Sequence, residues 1–187
     1  MDAGAKAAII AATEAWLEAA VIGLNLCPFA RAVHAEKRIR YVVSEAATAE
    51  ALLDALLSEL EFLAAADADE VETTLLIHPL ALGDFPDYND FLDTADAAVD
   101  GLSFTGEIQV ASFHPHYRFA GTGPEDIENF SNRSPHPMLH LLREASVERA
   151  VASHPDTGKI PEKNIATLRR LGRDGWDRLM QAALAKK

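Results

Sequence analysis

Apolar residues recur along this chain in two periods, and the switches between them mark out its elements. Ile9, Ile10, Thr13, Trp16, Leu17, Ala20 and Val21 are spaced as one face of an α-helix that should end near Gly23, a residue that readily takes the left-handed cap conformation. Ile39 to Val43 reads as a strand, with Arg38, Arg40 and Val42 alternating against Ile39, Tyr41 and Val43. Leu52, Leu53, Leu56, Leu57, Leu60 and Leu63 then form the stripe of a second helix, for which Thr48 is the N-cap and Ala51 the third residue. Two further strands, Thr73 to Ile77 and Ile108 to Phe113, flank a helix beginning near Pro86. That helix turns Tyr88, Phe91, Leu92, Ala95 and Val99 inward and Asp87, Asp90, Asp93 and Asp100 outward. Beyond them the chain reads as helical, with one helix after Pro137 and one or two more between Pro161 and Ala185.

Strands separated by helices call for crossover connections, which join parallel strands. The expected fold is therefore α/β, a single compact domain over residues 1–187 with a small three- or four-stranded, mostly parallel sheet and a helical C-terminal third. An antiparallel edge stays open, because the first strand has the alternation of a half-exposed strand rather than the continuous apolar run of a central parallel one.

Composition narrows the class. A hydrophobic content of 49% supplies one core, and the apolar runs near the start are broken by Glu14 and Glu18 and are too short to span a bilayer. With no basic region leading into an uninterrupted apolar segment, a soluble cytoplasmic protein is expected. The single cysteine, Cys27, excludes an internal disulfide and suits a reducing compartment. Net charge is −12, and no Lys or Arg lies between Arg40 and Arg118, which gives an acidic middle flanked by basic ends. Nucleic acid is a poor partner for such a surface and no membrane is called for, whereas a small anionic molecule could meet a local cluster of the flanking arginines. Oligomeric state and cofactor are left open.

Four of the seven histidines stand directly before proline, at His78, His114, His136 and His154. His78 and His114 close strands, since proline has no N–H for the ladder, and strand ends in open α/β sheets commonly hold ligands. His154 precedes Asp156-Thr157-Gly158 and reads as a helix stop.

Three segments carry the candidate chemistry. In Gly23-Leu24-Asn25-Leu26-Cys27-Pro28-Phe29-Ala30-Arg31, Cys27 is either a nucleophile activated by a nearby cation or a buried apolar filler between Leu26 and Phe29. In Ser112 to Thr122, His114 and His116 would project to one side of a continuing extended chain, and Arg118 follows. In Asn132 to Glu144, Ser134 or His136 would cap a helix whose free N–H groups, beside Arg133, attract an anion. On that helix His140 would share a face with Arg143 and Glu144, the carboxylate orienting the imidazole as a general base, although the Arg and Glu could equally serve only to fix the fold.

At these residues the chain resembles an uncharacterised bacterial family of similar length, the domain of unknown function numbered 1415. The resemblance rests on Leu24-Asn25-Leu26-Cys27-Pro28-Phe29-Ala30, on Phe113-His114-Pro115 with Phe119-Ala120-Gly121-Thr122, and on Asn132 to Pro137 running into Leu139 to Glu144. It covers nearly the whole chain and implies no reaction.

Two classes of function follow. The first is a cytosolic enzyme acting on a small anionic metabolite, with Cys27, His114, His140 and Glu144 as catalytic candidates and His78, Arg118, Asn132, Arg133, Ser134 and Arg143 as binding candidates. A metal-dependent form would draw on His114, His116, His136 or His140 with Glu144. The second class is a non-enzymatic ligand-binding or regulatory domain, favoured by the lack of a Walker loop, a nucleophile elbow, a His-Glu-x-x-His or a Gly-x-Gly-x-x-Gly motif.

Overall fold

The first helix, α1 (Ala3–Trp16), starts where the Asp2 carboxylate accepts the Ala5 N–H at 2.7 Å, and it runs on into a π-helical turn, Leu17–Ile22. The computed structural model describes residues 1–153 and 157–185, so the expected stop at His154-Pro155 lies outside the described residues. Gly23 is right-handed, at φ −65°, and the left-handed position falls to Asn25 at φ 55°. Glycine is needed at 23 for closeness instead, since a Cβ there would stand 2.2 Å from the Ala19 carbonyl oxygen. A short helix, α2 (Ala30–Ala35), follows and leads to β1 (Ile39–Val43).

Helix α3 (Ala49–Ala65) is capped as its sequence requires, with Thr48 Oγ1 accepting from the Ala51 N–H at 3.2 Å. Its stripe of Leu52, Leu56, Leu60 and Leu63 is fully buried, worth about 2 kcal/mol per side chain in area removed from water. Strand β2 (Thr73–Ile77), helix α4 (Phe85–Gly101) and strand β3 (Ile108–Phe113) stand where the hydrophobic periods place them.

The segment after Pro137 corrects the sequence reading. Met138–Arg143 is a strand, β4, and no helix begins at Ser134 or His136. Helix α5 (Glu144–Ser153) starts only where β4 stops, and α6 (Ile160–Leu184) closes the chain, bent at Gly172, whose φ of 68° breaks its helical path.

The sheet order is β1-β2-β4-β3. Strand β1 pairs parallel with β2, and β4 runs antiparallel between β2 and β3, so three strands share a direction and the fourth, central one opposes them. The α/β architecture and the helical C-terminal region are as expected, and the four-stranded sheet is mixed, its antiparallel strand lying in the centre and not at an edge. One face, bearing Leu76, Leu139 and Leu141, packs on α3 and α4. The other, bearing Leu75, Ile77 and Met138, packs on the π-helical turn and on Leu168 and Trp176 of α6. No helix among the described residues is long and apolar enough to cross a membrane.

Candidate functional site

The antiparallel β4 brings Pro137 and Met138 to the same sheet end as His78 and His114, the residues that follow β2 and β3. Between the two imidazoles lies the ring of Tyr88 from α4, stacked on His78 with centroids 5.8 Å apart and tilted against His114 at 5.0 Å. The Tyr88 hydroxyl donates to the Met138 carbonyl at 2.8 Å and accepts from the Phe113 N–H at 3.0 Å, bridging two strands. Both histidines are fully buried and pin the loop before α4: His78 Nδ1 bonds the Ala81 carbonyl at 3.0 Å and His114 Nε2 bonds the Leu82 carbonyl at 3.2 Å. His114 Nδ1 accepts from the His116 N–H at 3.0 Å, which settles its neutral tautomer as the Nε2–H form. By the same logic His78 carries its proton on Nδ1, leaving Nε2 a buried acceptor with no hydrogen-bond partner among the described residues. Burial pushes His78 down to about 4 and lowers His114 as well. His116 is exposed, because the chain turns after His114 instead of staying extended.

A second cluster forms on the opposite face of the sheet. There Trp16, Leu17 and Val21 of the first helical stretch, together with Phe29, Val33 and Ile39, line a half-open cavity of about 510 Å³. Its floor is the sheet itself, through Thr73, Leu75, Ala111, Phe113 and His140, and Cys27 lines its wall. These floor residues share a face because strand positions two apart do, and because Leu75 and Ala111 are both paired with His140.

His140 is the polar centre of that floor. Its Nε2 lies 2.7 Å from Thr73 Oγ1, and the Thr73 hydroxyl donates to the Leu141 carbonyl at 2.5 Å. A hydroxyl has one proton, so with that proton given to Leu141 the oxygen accepts from His140 Nε2–H. Nδ1 is thereby left as a lone-pair acceptor, with no hydrogen-bond partner among the described residues, on a half-buried ring that lines the cavity. Burial pushes this imidazole down to about 4, so it is neutral at ordinary pH. Burial likewise raises the Cys27 thiol, against which the N–H groups of Phe29 and Ala30 act only partly, and the sulfur stays protonated.

The arginines are placed elsewhere. Arg143 Nε and Nη2 bind the Val71 carbonyl, with Nη2 also 2.7 Å from the carbonyls of Leu63 and Ala66, so its guanidinium closes the C-terminal end of α3 at the cavity rim. Arg133 lies over the Phe130 ring at 4.2 Å and donates to the Tyr117 and Pro124 carbonyls at 3.3 and 2.5 Å. Asn132 donates to the Ser112 carbonyl at 3.1 Å, and Ser134 donates to the His136 carbonyl at 2.7 Å. Both tie the loop before β4. Arg118 is exposed beside a separate polar cleft of about 480 Å³ with Asn89, Asp90 and Thr122. Glu144 opens α5, so the helical face joining His140, Arg143 and Glu144 does not form. On β4 the imidazole shares its face with Met138 and Leu142 instead, and Thr73 takes the place expected of the carboxylate. Among the described residues no three of His, Cys, Asp and Glu stand close enough together to hold a metal ion.

Of the sequence candidates, then, the fold brings Cys27, His140 and Arg143 around one cavity and sets His78 and His114 together on the opposite face of the sheet. Thr73, Trp16 and Phe113 were not singled out by the sequence. Each is an ordinary strand or helix residue until the register of β2, β3 and β4 is known.

The chain matches the family described as Protein of unknown function (DUF1415) over residues 8–178. It belongs to that family. No curated protein and no solved structure matches the chain. The matched span takes in the π-helical turn, the whole sheet and most of α6, so the cavity floor and the Cys27 wall are part of the family domain.

Proposed function

We propose that the chain is an enzyme that holds a small molecule in the cavity between the sheet and the first helices, with His140 as the group that accepts a hydrogen bond or proton from it. The observation that carries this reading is the Thr73–His140 pair, which fixes the imidazole tautomer and leaves Nδ1 a free acceptor, among the described residues, on a ring that lines a half-open, mostly apolar cavity. Orientation of a histidine by a hydrogen-bond partner is how general bases are prepared, and apolar concave sites with few convergent polar groups are the usual form of small-molecule sites. Cys27, on the cavity wall, is the nearest thing to a nucleophile in this reading. Its raised pKa means that it reacts only if the bound molecule or His140 takes its proton.

The test is a small-molecule screen read on two reporters. Hits are followed by the ring resonances of His140 and by protection of Cys27 from alkylation, then assayed for turnover with wild-type and His140→Ala proteins. Ligands that move both reporters, with turnover lost in the variant, support the reading. Ligands that bind while leaving both reporters unchanged would place the site elsewhere.

The neutrality of both groups favours a second reading, a non-catalytic binding domain using the same cavity, which the turnover assay separates from the first. The anionic ligand expected from the arginines draws its support from Arg118, which has no ion-pair partner among the described residues and borders the polar cleft. A cytoplasmic setting fits the unpaired Cys27.

A further inference from the structure

The chemistry of the cavity lining narrows what it takes. Most of the wall is hydrocarbon, from Trp16, Leu17, Val21, Val33, Leu75 and Phe113. Among the described residues two charged side chains, Glu72 and Arg143, line it, and both are engaged. Glu72 is held by Arg38 and lies 3.7 Å from Arg149, while Arg143 is bound to the backbone carbonyls that end α3. The group that His140 offers is a lone pair, because Thr73 takes its only ring proton. A carboxylate or phosphate oxygen is also an acceptor, so at Nδ1 it would meet lone pair with lone pair, beside a wall that is mostly hydrocarbon. A hydroxyl or N–H would instead complete the relay from ligand to Nδ1, from Nε2 to Thr73, and from Thr73 to Leu141.

We infer that the cavity selects an uncharged, largely apolar molecule that presents a hydroxyl or N–H donor to His140 Nδ1, and that it discriminates against anions. The inference rests on the cavity being the site, and it names the class of substrate that such a site takes. Thr73 is a positioning residue within it: by holding the proton on Nε2, it decides that the cavity sees an acceptor.

Three probes of equal chain length separate the cases: 1-octanol, heptyl methyl ether and octanoate, titrated into the full chain and followed by ligand-detected NMR and calorimetry. The ether measures apolar filling alone, the alcohol adds a donor, and the carboxylate adds charge. The expected order is alcohol tightest, by about tenfold over the ether as for one net buried hydrogen bond, with octanoate weakest. His140→Phe, which keeps the bulk of the ring, should bind alcohol and ether equally. Thr73→Val should narrow the tenfold gap without abolishing ether binding, and Thr73→Ser should restore it. Circular dichroism of each variant checks that the fold is retained, and the Ser variant keeps the test open should the Val variant unfold. If the ether binds and the alcohol is no better, or octanoate is tightest, the substrate class is overturned while the cavity stands as the site. If none of the three binds, the cavity reading falls and this inference with it.

Discussion

Thr73 and His140 lie diagonally across the β2–β4 pairing, and the 2.7 Å contact between Oγ1 and Nε2 makes the threonine the acceptor of the ring's only proton. Replacing Thr73 by Val removes both that acceptor and the donor to the Leu141 carbonyl, at an expected cost of about 1–3 kcal/mol for the partners left unsatisfied. Nitrogen NMR of the imidazole should show Nε2 protonated in the wild type and a mixture of tautomers in the Val variant, with Ser restoring the single form.

Four histidines are kept neutral by burial: His78 and His140, pushed down to about 4, and His114 and His136, lowered in the same direction. For each, the unfolded chain takes up a proton near the ordinary value of about 6.5, and the folded chain only at lower pH. The unfolded state thus binds more protons in that window. The stability contributed by neutral burial is complete above about pH 7 and is lost as pH falls through 6.5 toward 4. His78, with no solvent exposure, should account for about 3 kcal/mol of that loss. Urea denaturation at pH 7 and at pH 4.5 measures it. His78→Asn, which retains a donor toward the Ala81 carbonyl, should flatten the pH dependence, and an unchanged slope would assign the titration elsewhere.

Arg143 holds the carbonyls of Leu63, Ala66 and Val71 where α3 ends and the chain turns toward β2. Charge-assisted bonds of this kind are worth more than neutral ones, so Arg143→Leu should lower stability by about 2–4 kcal/mol. Hydrogen exchange should quicken in the segment from Leu63 to Val71. Loss confined to global stability, with exchange there unchanged, would argue against a capping role.

Cys27 is held as a thiol by its surroundings. Its alkylation at pH 7 should be slower than that of a free thiol and should rise with pH beyond the point where a free thiol levels off. A ligand filling the cavity should slow it further. Rapid reaction at neutral pH would show that the sulfur is activated.

Much of the fold is legible in the order of residues. Strands β1, β2 and β3 and the Thr48 cap of α3 stand where periodicity and capping chemistry put them, because those signals are local. Strand β4 is the instructive exception. Met138-Leu139-His140-Leu141-Leu142-Arg143 has no β-branched residue and is rich in helix formers, so its intrinsic preference points away from a strand. Its central place in the sheet, covered on both faces, explains why a run without alternation is nonetheless extended.

That exception governs the site as well. Read as a helix, the segment would have joined His140 to Glu144 and Arg143; as a strand it alternates, turning His140 toward the cavity and Leu139 and Leu141 toward α3 and α4. The residue types were visible from the outset, namely one thiol, imidazoles at two strand ends and arginines in the neighbouring segments. By itself the sequence determined an α/β chain with three strands, their intervening helices and a single cysteine, since short-range periodicity, caps and prolines act within a few residues. Only the tertiary structure decided that His140 meets Thr73 beside the cavity that Cys27 lines, while His78 and His114 lie behind the sheet. Strand order and register are set by burial of both faces at once, which no local stretch of residues encodes.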